Sequence, residues 1–341
     1  MRNERPFLSS STQEWLLEEQ NPSVRFLTLK NLLGKKENDP DVCAARAGIM
    51  ERGIVPKILE LQNKNGYWVN KDDFYIRTKY RGTVWQYIIL AELNADGSDK
   101  RIKKTTEYLT TISQDRQSGG FAYDGSITNG GHHSKVIPCL TGNIAWSLIR
   151  FGYLDDPRTQ RAIDWITSFQ RFDDGDSSPP SEWPYKNFMN CWGKHTCHMG
   201  VVKSLKALAE IPSHKRRGDV SKILERGAEF LLSHHLFKRS HDLCRVAKAS
   251  WTQFGYPLLW QTDALEMLGV LTEIVSEDDR MRETFDLIHT KCNPEGRWLL
   301  DRTFNGKFQV NIERKGKPSK WITFHCLKAL THNKSLSEND S

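Results

Sequence analysis

Residues 195–198 combine imidazole and thiol side chains in four consecutive positions. The order is His195-Thr196-Cys197-His198, and an apolar helical pattern begins directly after it. Zinc takes thiolate and imidazole ligands in a tetrahedral arrangement at roughly 2.0–2.3 Å. The stretch therefore predicts a metal site. The competing interpretation is a helix start whose thiol only packs against neighbouring side chains.

The helical pattern after residue 198 is one of a series of similar segments. Apolar residues recur every three or four positions in ranges 83–93, 143–152, 199–211, 264–274 and 321–330. Each segment begins near a threonine, and a weaker copy begins at Thr28; the others are Thr83, Thr141, Thr196, Thr262 and Thr323. From Thr28 onward, successive threonines are 55, 58, 55, 66 and 61 residues apart. The series predicts six copies of one unit, with threonine as the N-cap of each apolar helix.

A second, more amphipathic helix is predicted in each unit. It follows an Asp-rich turn, as in 94–101, 153–161 and 276–283, and it ends in a Gly-rich loop, as in 62–68, 115–125 and 293–298. Residues 9–20 supply an extra amphipathic helix with a Ser11/Glu14 capping box. The last unit lacks such a helix, so the extra one can complete a circle. The prediction is an all-α fold, a six-hairpin α/α toroid over residues 1–332, with a polar tail at 333–341.

If the ring closes, the apolar helices form its inner layer and all begin at the same end of the ring. We call this end the mouth. Cys139 lies two residues before Thr141, while Cys197 and His198 follow Thr196. These three residues are the predicted zinc ligands, and the candidates for completing the site are Cys191, His195, Asp263 and His325. His195 and Asp263 are the predicted catalytic residues, either as proton-transfer groups or as partners that orient a ligand.

Further side chains around this mouth are predicted to bind substrate. Trp85, Trp260 and Trp321 fall at helix starts, where their ring faces could stabilise positive charge or simply pack between helices. Residues 231–242 stand where the fourth unit should have its Gly-rich loop. There His234, His235 and Arg239 are candidates for holding an anionic group, and the alternative is an ordinary surface cluster.

Composition narrows the class of protein. The net charge of +7 is mild for 341 residues and no tract is strongly basic, so nucleic acid is not an expected partner. Seven cysteines without regular pairing favour reduced thiols. The N-terminus lacks a signal-peptide core and no run reaches membrane-spanning length. A cytoplasmic location is therefore expected. The charged outer helices make an obligate partner subunit unexpected.

The chain resembles the prenyltransferase and squalene-cyclase repeat superfamily over nearly its whole length. The residues that carry the resemblance are the loops at 61–68, 119–125 and 293–298, in register with the threonines. Residues 195–198 look like a zinc-ligand stretch of protein prenyltransferase β subunits. Residues 138–143 together with 196–200 look like the Cys and Cys-His ligand pattern of lanthionine cyclases. The Asp-x-Asp-Asp motif of class II terpene cyclases is absent.

Two function classes remain open beside the leading one. The leading hypothesis is a zinc-dependent enzyme that holds a small or partly apolar substrate inside the ring and activates a thiol, water or carbonyl. One alternative is a metal-free enzyme of terpene-cyclase or polysaccharide-lyase type that uses Asp and His in acid–base chemistry. The other is a toroid that only binds a ligand or partner.

Overall fold

The computed structural model describes the backbone of residues 8–337 and the side chains of residues 8–331, and helices dominate this part of the chain. Two short antiparallel pairs, β1–β2 and β3–β4, are its strands: Gly125–Ser126 with Gly130–Gly131, and Lys238–Arg239 with Asp242–Val246. The α-helices are α1 Ser10–Leu16, α2 Pro22–Leu27, α3 Pro40–Glu51, α4 Ile54–Glu60, α5 Thr83–Glu92, α6 Lys100–Ile112, α7 Pro138–Arg150, α8 Pro157–Phe169, α9 Met189–Trp192, α10 His198–Ala209, α11 Gly218–Ser233, α12 Ala264–Leu271, α13 Arg282–Thr290 and α14 Lys320–Ser337. A π-helical turn, Thr28–Leu32, continues α2, and 3-10 turns occur at His133–Lys135, Tyr185–Asn187, Ser213–Lys215, Ala249–Thr252 and Asp279–Met281.

Buried and amphipathic helices alternate along the chain. In α5 every residue from Thr83 to Ala91 is buried, as expected for a helix that is apolar all round. In α6, by contrast, Ile102 and Leu109 lie on the buried face while Lys103 and Glu107 are exposed. The buried series is α2, α5, α7, α10, α12 and α14, and the amphipathic series is α1, α3, α6, α8, α11 and α13. The short helices α4 and α9 belong to neither series. The predicted helical fold is therefore confirmed for the described residues, whereas the grouping of the helices into six hairpins stays a prediction.

The repeated threonines mark the buried helices, but the prediction that they are N-caps is wrong. Each of four threonine hydroxyls accepts a hydrogen bond from a backbone N–H of the preceding loop. The pairs are Trp68 with Thr83 at 3.1 Å, Phe121 with Thr141 at 2.9 Å, Asp173 with Thr196 at 2.9 Å, and Trp298 with Thr323 at 3.0 Å. A buried N–H without an acceptor is costly, so the threonine ties each loop to the helix that follows it.

Removing one of these ties should destabilise the protein. In Thr141→Val the buried N–H of Phe121 loses its acceptor, and we expect the free energy of unfolding to fall by about 2 kcal/mol in urea titrations. Thr28→Val is the matched control, because the buried Thr28 hydroxyl has no hydrogen-bond partner among the described residues. Equal losses of unfolding free energy in the two variants would contradict a stabilising role of the hydrogen bond between Phe121 N and the Thr141 hydroxyl.

The amphipathic helices carry a repeated cap of their own. At residues 99–101, 156–158 and 278–280, an aspartate caps the helix or 3-10 turn by accepting from the backbone N–H two residues later. The arginine at that later position also pairs with the same carboxylate and lowers its pKa. In α1 the N-cap is Ser9, two residues before the predicted cap Ser11 of the Ser11/Glu14 box, and Ser9 Oγ accepts from Thr12 N at 3.2 Å.

The chain divides into two compact units. Of the described residues, unit 1 comprises 8–58, 232–258 and 263–337, and unit 2 comprises 59–231 and 259–262. Within unit 1, α1 contacts α14, and the Thr12 hydroxyl donates to Glu295 O at 2.8 Å. Within unit 2, the Thr105 hydroxyl of α6 donates to Gly66 O at the same distance. The extra N-terminal helix thus contacts the 293–298 loop much as α6 contacts the 62–68 loop.

These contacts do not test two predictions about the organisation of the chain. Closure of all six pairs into one toroid, and the assignment of residues 1–332 to a single domain, stay predictions. Residues 333–337 of the predicted tail continue α14, and residues 338–341 lie outside the described part.

Candidate functional site

Three cysteines come together in unit 2. Cys139 is the second residue of α7, Cys191 lies in the short helix α9, and Cys197 is the N-cap of α10. Burial raises the pKa of the Cys139 and Cys191 thiols, and the neighbouring thiols raise both further. We call these three residues the cysteine cluster.

The predicted zinc ligands Cys139, Cys197 and His198 are not assembled into a ligand set. Within residues 8–331, no group of three or more His, Cys, Asp or Glu side chains is arranged to hold a metal ion. Cys197 belongs to the cysteine cluster, whereas the His198 ring lies 4.9 Å from the Phe230 ring of α11. Cys197 is the extended N-cap residue and His198 is the first residue of α10, and their two side chains have different neighbours. The zinc centre therefore stays a prediction without structural support.

Aromatic side chains from α5, from the segment before it and from residues 259–262 form a cluster in unit 2. Tyr75 stacks on Trp85 at 4.5 Å, and Tyr80 packs on the same ring at 5.6 Å. Trp260 Nε1 donates to the Tyr80 hydroxyl at 3.3 Å, and the Lys79 ammonium lies over the Tyr80 and Trp260 rings. Two predicted substrate residues, Trp85 and Trp260, are thus joined through Tyr80, which the sequence analysis did not single out.

The backbone around this cluster is strained. Tyr80 has φ 69° and Leu259, directly before Trp260, has φ 58°. Non-glycine residues adopt this region only when the surrounding structure holds them there, and such positions concentrate at functional sites. Part of that support is visible, since Asn143 Nδ2 donates to Leu259 O at 3.2 Å.

Asp263 is a buried carboxyl group of unit 1. Its side chain is the N-cap of α12 and its residue is only 1% exposed. Gly255 N donates to Oδ2 at 2.8 Å and Glu266 N donates to Oδ1 at 2.9 Å, so one backbone amide fixes each oxygen. Burial raises the pKa of Asp263 to about 7, although the two amides and Arg302 act in the opposite direction.

Large aromatic rings belong to the same unit. Tyr256 directly follows the Gly255 amide that binds Asp263, and its ring stacks on Trp321 at 4.4 Å and 8°. The His325 ring lies 6.3 Å from both rings. The indole Nε1 of Trp321 is buried without a hydrogen-bond partner among the described residues. Asp263 and Trp321, two of the residues selected from the sequence, therefore both lie in the buried interior of unit 1.

The other predicted site residues lie in polar surroundings. His195 is exposed, with 62% of its side chain accessible, and its Nδ1 is 3.2 Å from Asp174 Oδ1. His234 is buried with Nδ1 3.2 Å from the Ser233 hydroxyl, and His235 pairs with Glu283 at 3.2 Å. Arg239 is exposed on β3.

His133 and Asp115 form a histidine–carboxylate pair that was not predicted from the sequence. His133 Nδ1 lies 2.7 Å from Asp115 Oδ2, and the imidazole stacks on Trp183 at 3.9 Å. Burial alone would raise the pKa of Asp115, but hydrogen bonds from Ser118 and His133 bring it below its ordinary value. The available signal was the histidine pair in residues 130–135; nothing in the sequence marks Asp115, 18 residues earlier, as its partner.

Comparison with known proteins gives structural matches but no sequence match. Neither a protein-family model nor a curated protein matches the chain. Among residues 8–337, no helix is both long and apolar enough to cross a membrane.

The structural matches include type II terpene cyclases. A variant of MstE from Scytonema, in complex with its substrate geranylgeranyl dihydroxybenzoate, matches with 12% identity and a TM-score of 0.45 over 93% of this chain and 88% of that chain. A protein from Actinoplanes has 13% identity and a TM-score of 0.35 over 85% and 99%. A second MstE variant, in complex with its product merosterolic acid A, has 13% identity and a TM-score of 0.33 over 96% and 100%. TM-scores below 0.5 at such identities assign no activity to this chain.

Proposed function

We propose that the protein is an enzyme that protonates an apolar, alkene-bearing substrate without a metal ion, with Asp263 as the general acid. The observation that carries the proposal is the placement of this carboxyl group. It is enclosed, it stands at the start of a buried helix, and a backbone amide holds each of its oxygens. A carboxyl group kept protonated near neutral pH is what such chemistry requires.

The burial of Asp263 supports this assignment. A pKa of about 7 leaves a large fraction of the carboxyl groups protonated at neutral pH, whereas an exposed aspartate would have lost its proton. In the proposed step the alkene π electrons form a C–H bond with that proton. A carbocation forms at the other alkene carbon and Asp263 becomes a carboxylate. The amides of Gly255 and Glu266 then stabilise the new negative charge.

The aromatic rings of unit 1 support an apolar substrate and a cationic intermediate. Tyr256 and Trp321 form a parallel stack next to the backbone that binds Asp263. Ring faces attract positive charge, and this attraction grows when water is excluded. The likeness of the loop sequences to the squalene-cyclase repeat superfamily is consistent with this chemistry but does not carry it.

The leading zinc hypothesis receives less support than this alternative. It needs Cys139, Cys197 and His198 to converge, and the described residues hold no such group. Metal content therefore separates the two hypotheses directly.

The test is an assay of the purified protein with linear polyprenyl alcohols, read out by gas chromatography and mass spectrometry. We expect cyclised products with the same mass as the substrate, because the carbocation loses one proton after the ring has closed, and equal yield with and without a chelator. The rate should fall as pH rises through about 7, because Asp263 loses the proton that it donates. Bound zinc whose removal abolishes turnover would restore the zinc hypothesis. Absence of turnover with all polyprenyl alcohols would contradict the proposed substrate class.

A further inference from the structure

Cys191 and Cys197 lie opposite each other across a tight reversal of the chain. Trp192 pairs with Thr196 in an antiparallel bridge, and Cys197 N donates to Cys191 O at 3.2 Å. Residues in a hydrogen-bonded antiparallel pair have Cα atoms about 5.5 Å apart. Disulfides join residues whose Cα atoms are about 4.4–6.8 Å apart. The backbone therefore sets these two residues at a distance that a disulfide can span.

The electrostatics of the two thiols agrees with this backbone pairing. Cys191, the last but one residue of α9, and Cys197, the N-cap of α10, are both half-buried. After burial, the Cys197 thiol is the neighbour that raises the pKa of Cys191. The two sulfur atoms are thus within electrostatic reach of each other.

We propose that Cys191 and Cys197 are a site of reversible disulfide formation, with a low-molecular-weight disulfide such as oxidised glutathione as the oxidant. The Cys197 thiolate attacks one sulfur of the oxidant, which releases one thiol and leaves a mixed disulfide on Cys197. The Cys191 thiol then attacks the Cys197 sulfur and releases the second thiol. Two protein thiols are oxidised, one small disulfide is reduced, and the two protons leave with the two released thiols.

The linkage does not depend on which of the two thiols reacts first. Once a mixed disulfide has formed on one cysteine, attack by the other is intramolecular and is favoured by proximity.

The remaining cysteines provide internal controls. Cys43 and Cys244 are exposed, and neither has a cysteine opposite it in a described backbone pair. They can take up glutathione but have no resolving partner, so they report on general thiol reactivity. Cys139 is the third member of the cysteine cluster, and it is the cysteine of unit 2 that could form a disulfide with Cys197 in place of Cys191.

The experiment treats the reduced full-length protein with oxidised glutathione and maps the tryptic peptides by mass spectrometry. Trypsin cleaves after Lys186, Lys194 and Lys203, so Cys191 and Cys197 fall in different peptides, 187–194 and 195–203. We expect these two peptides to be joined by a bond that dithiothreitol breaks, while Cys43 and Cys244 carry only glutathione. Cys139→Ala should leave this linkage intact, and Cys197→Ser should leave Cys191 unlinked.

Two results would overturn the proposal. One is a linkage between peptide 195–203 and the Cys139 peptide 136–150 in place of the expected one. The other is free or merely glutathionylated Cys191 and Cys197 under conditions that fully modify Cys244. Because the main measurement uses the unaltered protein, a variant that fails to fold cannot obscure either result.

Discussion

Asp263→Asn should lower turnover of an alkene substrate by at least about 100-fold, because the variant keeps the shape of the side chain but has no acidic proton to donate. The amide oxygen of asparagine can still accept one of the two backbone hydrogen bonds that Asp263 accepts from Gly255 and Glu266. The measurement is the initial rate of product formation at pH 6, below the pKa of about 7, where wild-type Asp263 is mainly protonated.

A matched variant separates lost chemistry from a lost helix cap. Asp156 caps α8 by accepting from Arg158 N at 2.8 Å, so Asp156→Asn also weakens an aspartate cap, but at a helix of unit 2. We expect it to retain turnover. If both variants lost activity equally, or if Asp263→Asn kept it, Asp263 would be only a structural cap.

The folding control for Asp263→Asn uses the pH dependence of stability. The pKa of Asp263 is about 7 in the folded protein and 3.8 as its ordinary value, so the folded state binds the proton more tightly. This contribution is complete below pH about 3.8 and is lost as pH rises through about 7, amounting to about 4 kcal/mol. Urea titrations should therefore show wild type losing stability relative to Asp263→Asn between pH 4 and pH 8. A constant difference would contradict the raised pKa of Asp263.

The repeat pattern predicted the order of the helices because it depends on local spacing. Apolar periodicity located α5, α7, α10, α12 and α14, and the threonines marked their starts. The role of those threonines could not be read in the same way. Their partners lie 15–25 residues earlier in the chain, in loops whose path no local rule fixes.

The candidate site was predictable only in part, for reasons of helix phase and chain distance. Asp263 was selected by its offset from Thr262, and the structure places it in a buried, amide-bound position. Cys197 and His198 were selected by the same kind of offset but do not form one ligand set, because the offset does not fix the side-chain directions of an extended N-cap residue and the first helical residue. Tyr80 and Trp260 are 180 residues apart, and no sequence pattern links them.

Gly142→Ala should destabilise the protein by about 2 kcal/mol, although alanine is the better helix former. In a helix interior, alanine gains about 1 kcal/mol over glycine. Here, however, a Cβ at position 142 would lie 2.5 Å from the Lys203 carbonyl carbon and 2.6 Å from its oxygen. Both atoms belong to the backbone of α10, so no side chain can rotate away. Overpacking of this kind costs about 1–3 kcal/mol or more, and it exceeds the gain in helix propensity.

The second glycine of the same contact shows why the two helices cannot simply shift. A Cβ at Gly200 of α10 would lie 3.0 Å from Pro138 Cγ at the start of α7, so α7 and α10 approach closely along their length. Gly269→Ala in α12 is the matched control, because a Cβ there meets no atom within 4 Å. The control should gain about 1 kcal/mol in thermal or urea unfolding, whereas Gly142→Ala should lose stability. Stabilisation of both variants would show that α7 and α10 are not in close backbone contact, and with it the placement of Cys139 on α7 beside Cys197 would fail.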